Sequence, residues 1–198
     1  MELFKAITLV CLISGTYAGM ENLPYGFKLI WTFPTKDTVL FDFFIPNEIL
    51  ENWRWAGIGF KHIDEPDPTM GHSELITITF DGDKVEDRWA HGHLTPQPDT
   101  KDGGYNDVIL EEKRNEHGYR VYSFSRPLET YDSVHDVSLV KNEKYWIMWA
   151  FGQTFKGGVI AHPMWNRGKD LCIFSEDYMD DGSDDPFFDE DDHYSPFS

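Results

Sequence analysis

The stretch "TVLFDFFI", residues 38–45, repeats its character every second residue. Val39, Phe41, Phe43 and Ile45 fall on one face of an extended chain, and Leu40, Asp42 and Phe44 on the other. A period of two over eight residues predicts a strand with one face in a core. The same alternation recurs further along. "SELITITF" (73–80) sets Leu75, Thr77 and Thr79 against Ile76, Ile78 and Phe80, and "YRVYSFS" (119–125) sets Tyr119 and Val121 opposite Tyr122 and Phe124. Further strands are expected over 27–33, 55–61, 84–94, 107–113 and 145–152. The last is apolar at almost every position from Tyr145 to Phe151, which suits a central strand covered on both faces. Turn signals such as "PTKD", "DGD", "KDGG", "NEHG" and "VKNE" separate these runs, and no long helical pattern interrupts them. The fold class predicted is therefore all-β: an Ig-like antiparallel β-sandwich of about eight to ten strands.

The two ends of the chain differ from this body. Residues 1–18 hold a lysine, an apolar run from Ala6 to Ile13, then small or polar residues ending at Ala18. That is the layout of a secretory signal peptide, so the protein is expected to be secreted, in an extracellular setting. The apolar run is shorter than the roughly 20 residues that span a bilayer, and no membrane span is expected elsewhere. At the other end, residues 176–198 carry ten acidic residues between Glu176 and Asp192 and no Lys or Arg, a large part of the net charge of −18. A segment so charged and without periodicity reads as a disordered acidic tail. The acidic balance excludes nucleic acid as a partner. Of the two cysteines, Cys11 lies in the signal segment, leaving Cys172 in "LCIF" as an unpaired thiol expected to be buried.

Motifs for chemistry are sparse. There is no nucleophile elbow, phosphate loop, dinucleotide fingerprint or zinc-protease helix. "DGDKVED" lacks the glycine and distal glutamate of a calcium loop and reads as a hairpin turn. His91 and His93 share a face of a predicted strand and could begin a copper or zinc site, although spacing identifies no third ligand. Two other residues stand out. Met70 follows the acidic, proline-rich "EPDPT", where a methionine has no evident core to fill, and His162 lies in "GGVIAHPMWNRG" (157–168) just after a hydrophobic run. Each adjoins a predicted strand, so their loops could meet at one end of the sandwich. A thioether and an imidazole converging on an aromatic-lined pocket would suit the axial positions of a haem iron. Spacing alone leaves a packing methionine and a loop histidine equally open.

The order of "WAGIGFK", "TMGHSELITI", "VEDRWAHGHLTPQPDT", "GGYNDVILEE", "YRVYSFSRPLET", "KYWIMWAFG" and "GGVIAHPMWNRG" resembles that of DOMON domains, placing such a domain over residues 24–175. The resemblance implies a sandwich that binds haem b in its cytochrome branch and a sugar or no ligand in others. In that branch the methionine before the "SELITI"-type strand and the histidine upstream of "RG" are the metal ligands, which correspond here to Met70 and His162. It further implies one-electron transfer to a separate, unspecified redox partner rather than catalysis, with Trp89, Trp149, Phe151 and Trp165 available to exclude water from the haem. His72, two residues beyond Met70, is a competing ligand. The alternative is a haem-free extracellular recognition module that binds a carbohydrate or protein ligand. The oligomeric state is left open.

Overall fold

The computed structural model describes residues 17–66, 69–92, 94–132, 134–163, 165 and 167–175. Most of the expected signal segment and the whole acidic tail lie outside these residues. The chain runs through β1 (Gly19–Asn22), β2 (Lys28–Thr35), β3 (Thr38–Pro46), α1 (Asn47–Asn52), β4 (Trp55–His62), β5 (Ser73–Thr79), β6 (Lys84–Ala90), β7 (Gln97–Pro98), α2 (Asp99–Asp102), β8 (Ile109–Glu116), β9 (Tyr119–Pro127), β10 (Lys144–Gly152), β11 (Thr154–Phe155), β12 (Gly158–Val159) and β13 (Arg167–Ile173). All pairings are antiparallel. One sheet has the order β1-β2-β3-β9-β8, the other β13-β10-β4-β5-β6-β7, and β11 pairs with β12 in a ribbon of its own.

The alternation in "TVLFDFFI" is realised as expected: Val39, Phe41, Phe43 and Ile45 are fully buried. They meet Ala56, Ile58 and Phe60 of β4, Ile76 and Ile78 of β5, and Tyr145, Ile147, Trp149 and Phe151 of β10 in one core between the sheets. Phe41 stacks on Phe60 across that gap at 5.3 Å between ring centroids. Fully burying each such side chain contributes about 1.5–3 kcal/mol, which makes this face the main source of stability. The opposite face of the five-stranded sheet is also partly apolar, with Ile30, Phe44 and Val121 forming a second, small cluster.

The connections follow local chemistry. β8 and β9 are joined by His117 and Gly118, both at positive φ (42° and 89°), the conformation a two-residue hairpin loop needs to match the strand twist. The β5–β6 turn places Gly82 and Asp83 likewise at positive φ, so "DGD" is a hairpin turn, as its sequence predicts. All eight predicted strands are present. The chain adds β1, β7, the ribbon β11–β12 and β13, which raises the number of strands above the expected eight to ten. β13 carries Cys172, which is buried, with its thiol pushed up to about 12 by burial and then by Glu21. Among the described residues no helix is long and apolar enough to cross a membrane.

Candidate functional site

Strand alternation gives the six-stranded sheet a second face, and that face is unusually bare. Opposite Ala56, Ile58 and Phe60, β4 presents Trp55, Gly57, Gly59 and Lys61. Gly57 pairs with Thr77 on one side and Ala150 on the other, and Gly59 lies between Leu75 and Met148. A cavity of about 740 Å³ opens on this floor. That is the size of a site for a cofactor or drug-sized molecule, which falls at roughly 300–1,000 Å³. Three loops build its walls: 69–70, 94–96 and 159–162. Both Met70 and His162 line it, so the structure brings the two residues to one cavity although 92 positions separate them in the sequence.

Each is positioned by identifiable contacts. Lys61 is almost wholly buried, and its Nζ donates to the carbonyl oxygens of Thr69 (2.8 Å) and Gly71 (2.5 Å), the residues on either side of Met70. The next residue, His72, takes a positive φ of 57° and donates its N–H to the carbonyl of Ala90 (2.7 Å). Its exposed side chain is not part of the cavity wall, so the anticipated competition with Met70 has no geometric basis. His162 lies 6.4 Å from the indole of Trp55, centroid to centroid. Its Nδ1 is 3.0 Å from the carbonyl oxygen of Pro163. A carbonyl can only accept, so this contact puts the ring proton on Nδ1 and leaves the Nε2 lone pair available, the tautomer by which a histidine commonly holds a metal. Trp165 fixes the end of the same loop: it meets Trp53 edge to face at 5.7 Å, and its carbonyl accepts a 3.0 Å hydrogen bond from the Tyr25 hydroxyl.

The rest of the wall combines apolar surface with cations. Leu75, Met148, Val159 and Ile160 contribute the former, with Ile58 and Trp149 bordering the cavity from the core side, and Arg88, Arg167 and Lys169 contribute the latter. Arg88 donates to Thr77 Oγ1, Pro96 O and Glu86 Oε2, each at 2.8 Å, and so ties the 94–96 loop to the floor. Two indole N–H groups at the cavity, those of Trp55 and Trp149, are buried without a hydrogen-bond partner. Of the four aromatics expected here, Trp149 lines the cavity. Phe151 belongs to the core, Trp89 packs against the core, and Trp165 is 57% exposed. Trp55, Arg88 and Lys61 went unread in the sequence. The period of two in "WAGIGFK" groups Trp55, Gly57, Gly59 and Lys61 on one face, and that was the available signal.

His91 lies just past β6, its Nε2 3.0 Å from Asp102 Oδ2, and its ring is 6.1 Å from that of His135. His93 lies outside the described residues.

The donor set and volume of the cavity are compatible with haem b. A thioether residue and an imidazole residue line one largely apolar space, and basic residues in the same lining are of the kind that suits the two propionate groups of the cofactor.

The family model of the DOMON domain matches residues 26–152, which include Met70 and end ten residues before His162. No curated protein matches the chain. Among solved structures, the cytochrome b domain of pyranose dehydrogenase from Coprinopsis cinerea is similar, with a TM-score of 0.57 and 14% identity over 81% of this chain and 88% of that one. At such an identity the likeness is one of fold.

Proposed function

Since this chain belongs to the DOMON domain family, we propose that it is a haem b-binding electron-transfer module in which Met70 and His162 supply the axial ligands. The juxtaposition of a thioether and a correctly tautomeric imidazole on one apolar cavity carries this reading. The similar structure from Coprinopsis cinerea is named a cytochrome b domain, which supports it. When bound, the haem would supply a one-electron couple, and its retention by Met70 and His162 together would favour electron transfer over oxygen chemistry.

The chain's own residues would hold and tune that group. Pro163 keeps the His162 proton on Nδ1, and Lys61 fixes the backbone on both sides of Met70. Trp55 and Trp149 exclude water from the floor, while Arg167 and Lys169 offer charge to carboxylates at the rim. The net charge of −18 would steer a basic redox partner towards the protein, more weakly as salt rises. The layout of residues 1–18, that of a secretory signal, supports a setting outside the cell.

Purified protein is expected to show a Soret band and, once reduced, the spectrum of six-coordinate haem. His162→Ala and Met70→Ala should each lose the six-coordinate signature, His162→Ala with the larger fall in haem retention. A colourless protein that stays colourless after haem is added overturns the proposal and leaves a haem-free recognition module.

A further inference from the structure

The inner side of the six-stranded sheet, behind the cavity floor, holds a second group of residues with no part in the reading above. Leu75 and Arg88 face the cavity, whereas their neighbours Glu74 and Asp87 point inward and are almost fully buried. Oxygen atoms of Glu74, Asp87 and Asp136 lie within 4.8 Å of one another. Asp99, at the start of α2, is buried to 0% exposure beside them.

These acids are poorly compensated. Arg126 pairs with Glu74 and directs its other donors to the carbonyls of Pro127 (2.9 Å) and Val137 (3.1 Å). No ion pair among the described residues reaches Asp87, Asp99 or Asp136. Both carboxylate oxygens of Asp99 and Oδ1 of Asp87 are buried without a hydrogen-bond partner. Unpaired buried charge of this kind is costly, so Asp87, Asp99 and Asp136, the three without an ion pair, must either hold protons or meet a counter-charge. Burial, followed by the neighbouring carboxylates, pushes Asp99 up to about 8 and Asp136 up to about 7, a measure of how strongly the pocket resists negative charge in isolation. Asp87 moves the same way for the same reasons.

We propose that Glu74, Asp87 and Asp136, with Asp99 beside them, form a buried site for one divalent cation, calcium, which ties β5, β6 and the segment around Asp136 together. Calcium takes oxygen ligands at about 2.3–2.6 Å, so two ligands on opposite sides of it stand about 5 Å apart, which agrees with the span of these oxygens. The donors are all hard oxygens, which disfavours zinc and copper, and the dry setting disfavours magnesium, which gives up its waters reluctantly. Gly104 keeps the neighbouring segment close: a Cβ there would fall 2.1 Å from Asp132 Oδ2 and 3.1 Å from Asp99 Cβ.

The test is calcium chloride titrated into the chelator-stripped full chain by calorimetry, with thermal unfolding followed alongside. One tight site is expected, with a Tm rise of about 5 °C or more at a hundredfold excess over Kd. Asp87→Asn and Asp136→Asn should each weaken binding by at least about tenfold. Both substitutions remove a repelling charge, so the variants should unfold in chelator no earlier than the parent, and a lost response is then not a folding defect. Two results overturn the proposal: no heat and no Tm change with calcium, or calcium binding unchanged in Asp87→Asn, which would put the ion elsewhere on the chain. Neither result depends on haem, whose loss is read separately from the Soret band.

Discussion

Trp149 and Gly168 show how single residues shape the site. They face each other across β10 and β13, and a Cβ on Gly168 would come within 2.5 Å of the Trp149 indole. Gly168→Ala should therefore displace the indole from the cavity edge and destabilise the fold by about 1–3 kcal/mol, read as a lower urea midpoint. Nothing local in "NRGKD" announces this, because the glycine answers to a ring nineteen residues earlier. Met70 and His162 stand out in the sequence for the opposite reason: each is chemically out of place in its own loop. Lys61 was not legible, since a lysine in a strand ordinarily reads as solvated, and its burial depends on the backbone carbonyls that the 69–71 loop returns to it.

Single elements carry ties between the sheets that sequence cannot display. Asp83, in the β5–β6 turn, accepts hydrogen bonds from Lys113 on β8 and from the Tyr122 hydroxyl on β9, the latter at 2.7 Å. Burial alone would raise its carboxyl, but these partners outweigh it and hold the group below the ordinary 3.8. A carboxylate lowered in the folded state stabilises above its unfolded value, and the contribution disappears as pH falls through the folded value. Asp83→Asn should accordingly flatten the loss of stability as pH falls below about 4, as followed by acid unfolding at fixed temperature. Strand identity itself was legible wherever one face is apolar and the other polar, as in β3, β5 and β9. β13 escaped because "RGKDLCI" mixes charge and apolar residues on an edge strand with a single partner, β10. β7 and the β11–β12 ribbon are two residues per strand, too short for any period to register.

At the scale of the molecule, the two sheets are fastened at one end by Arg126 of β9 and Glu74 of β5, both side chains fully buried. Arg126→Met should cost about 3–5 kcal/mol, because it strands a buried carboxylate, and denaturant unfolding should register a correspondingly lower midpoint. The sandwich as a whole was readable from periodicity, whereas the meeting of loops 69–70, 94–96 and 159–162 was not, since strand order cannot be read from any local pattern. One of those walls differs in kind from the others. Val159 belongs to the β11–β12 ribbon and Ile160 follows it; the ribbon's four paired residues form a ladder separate from both large sheets, and an isolated two-stranded hairpin is only marginally stable. A guest in the cavity would thus rest on a floor woven into six strands and against one wall held by a ladder of only two residues a side.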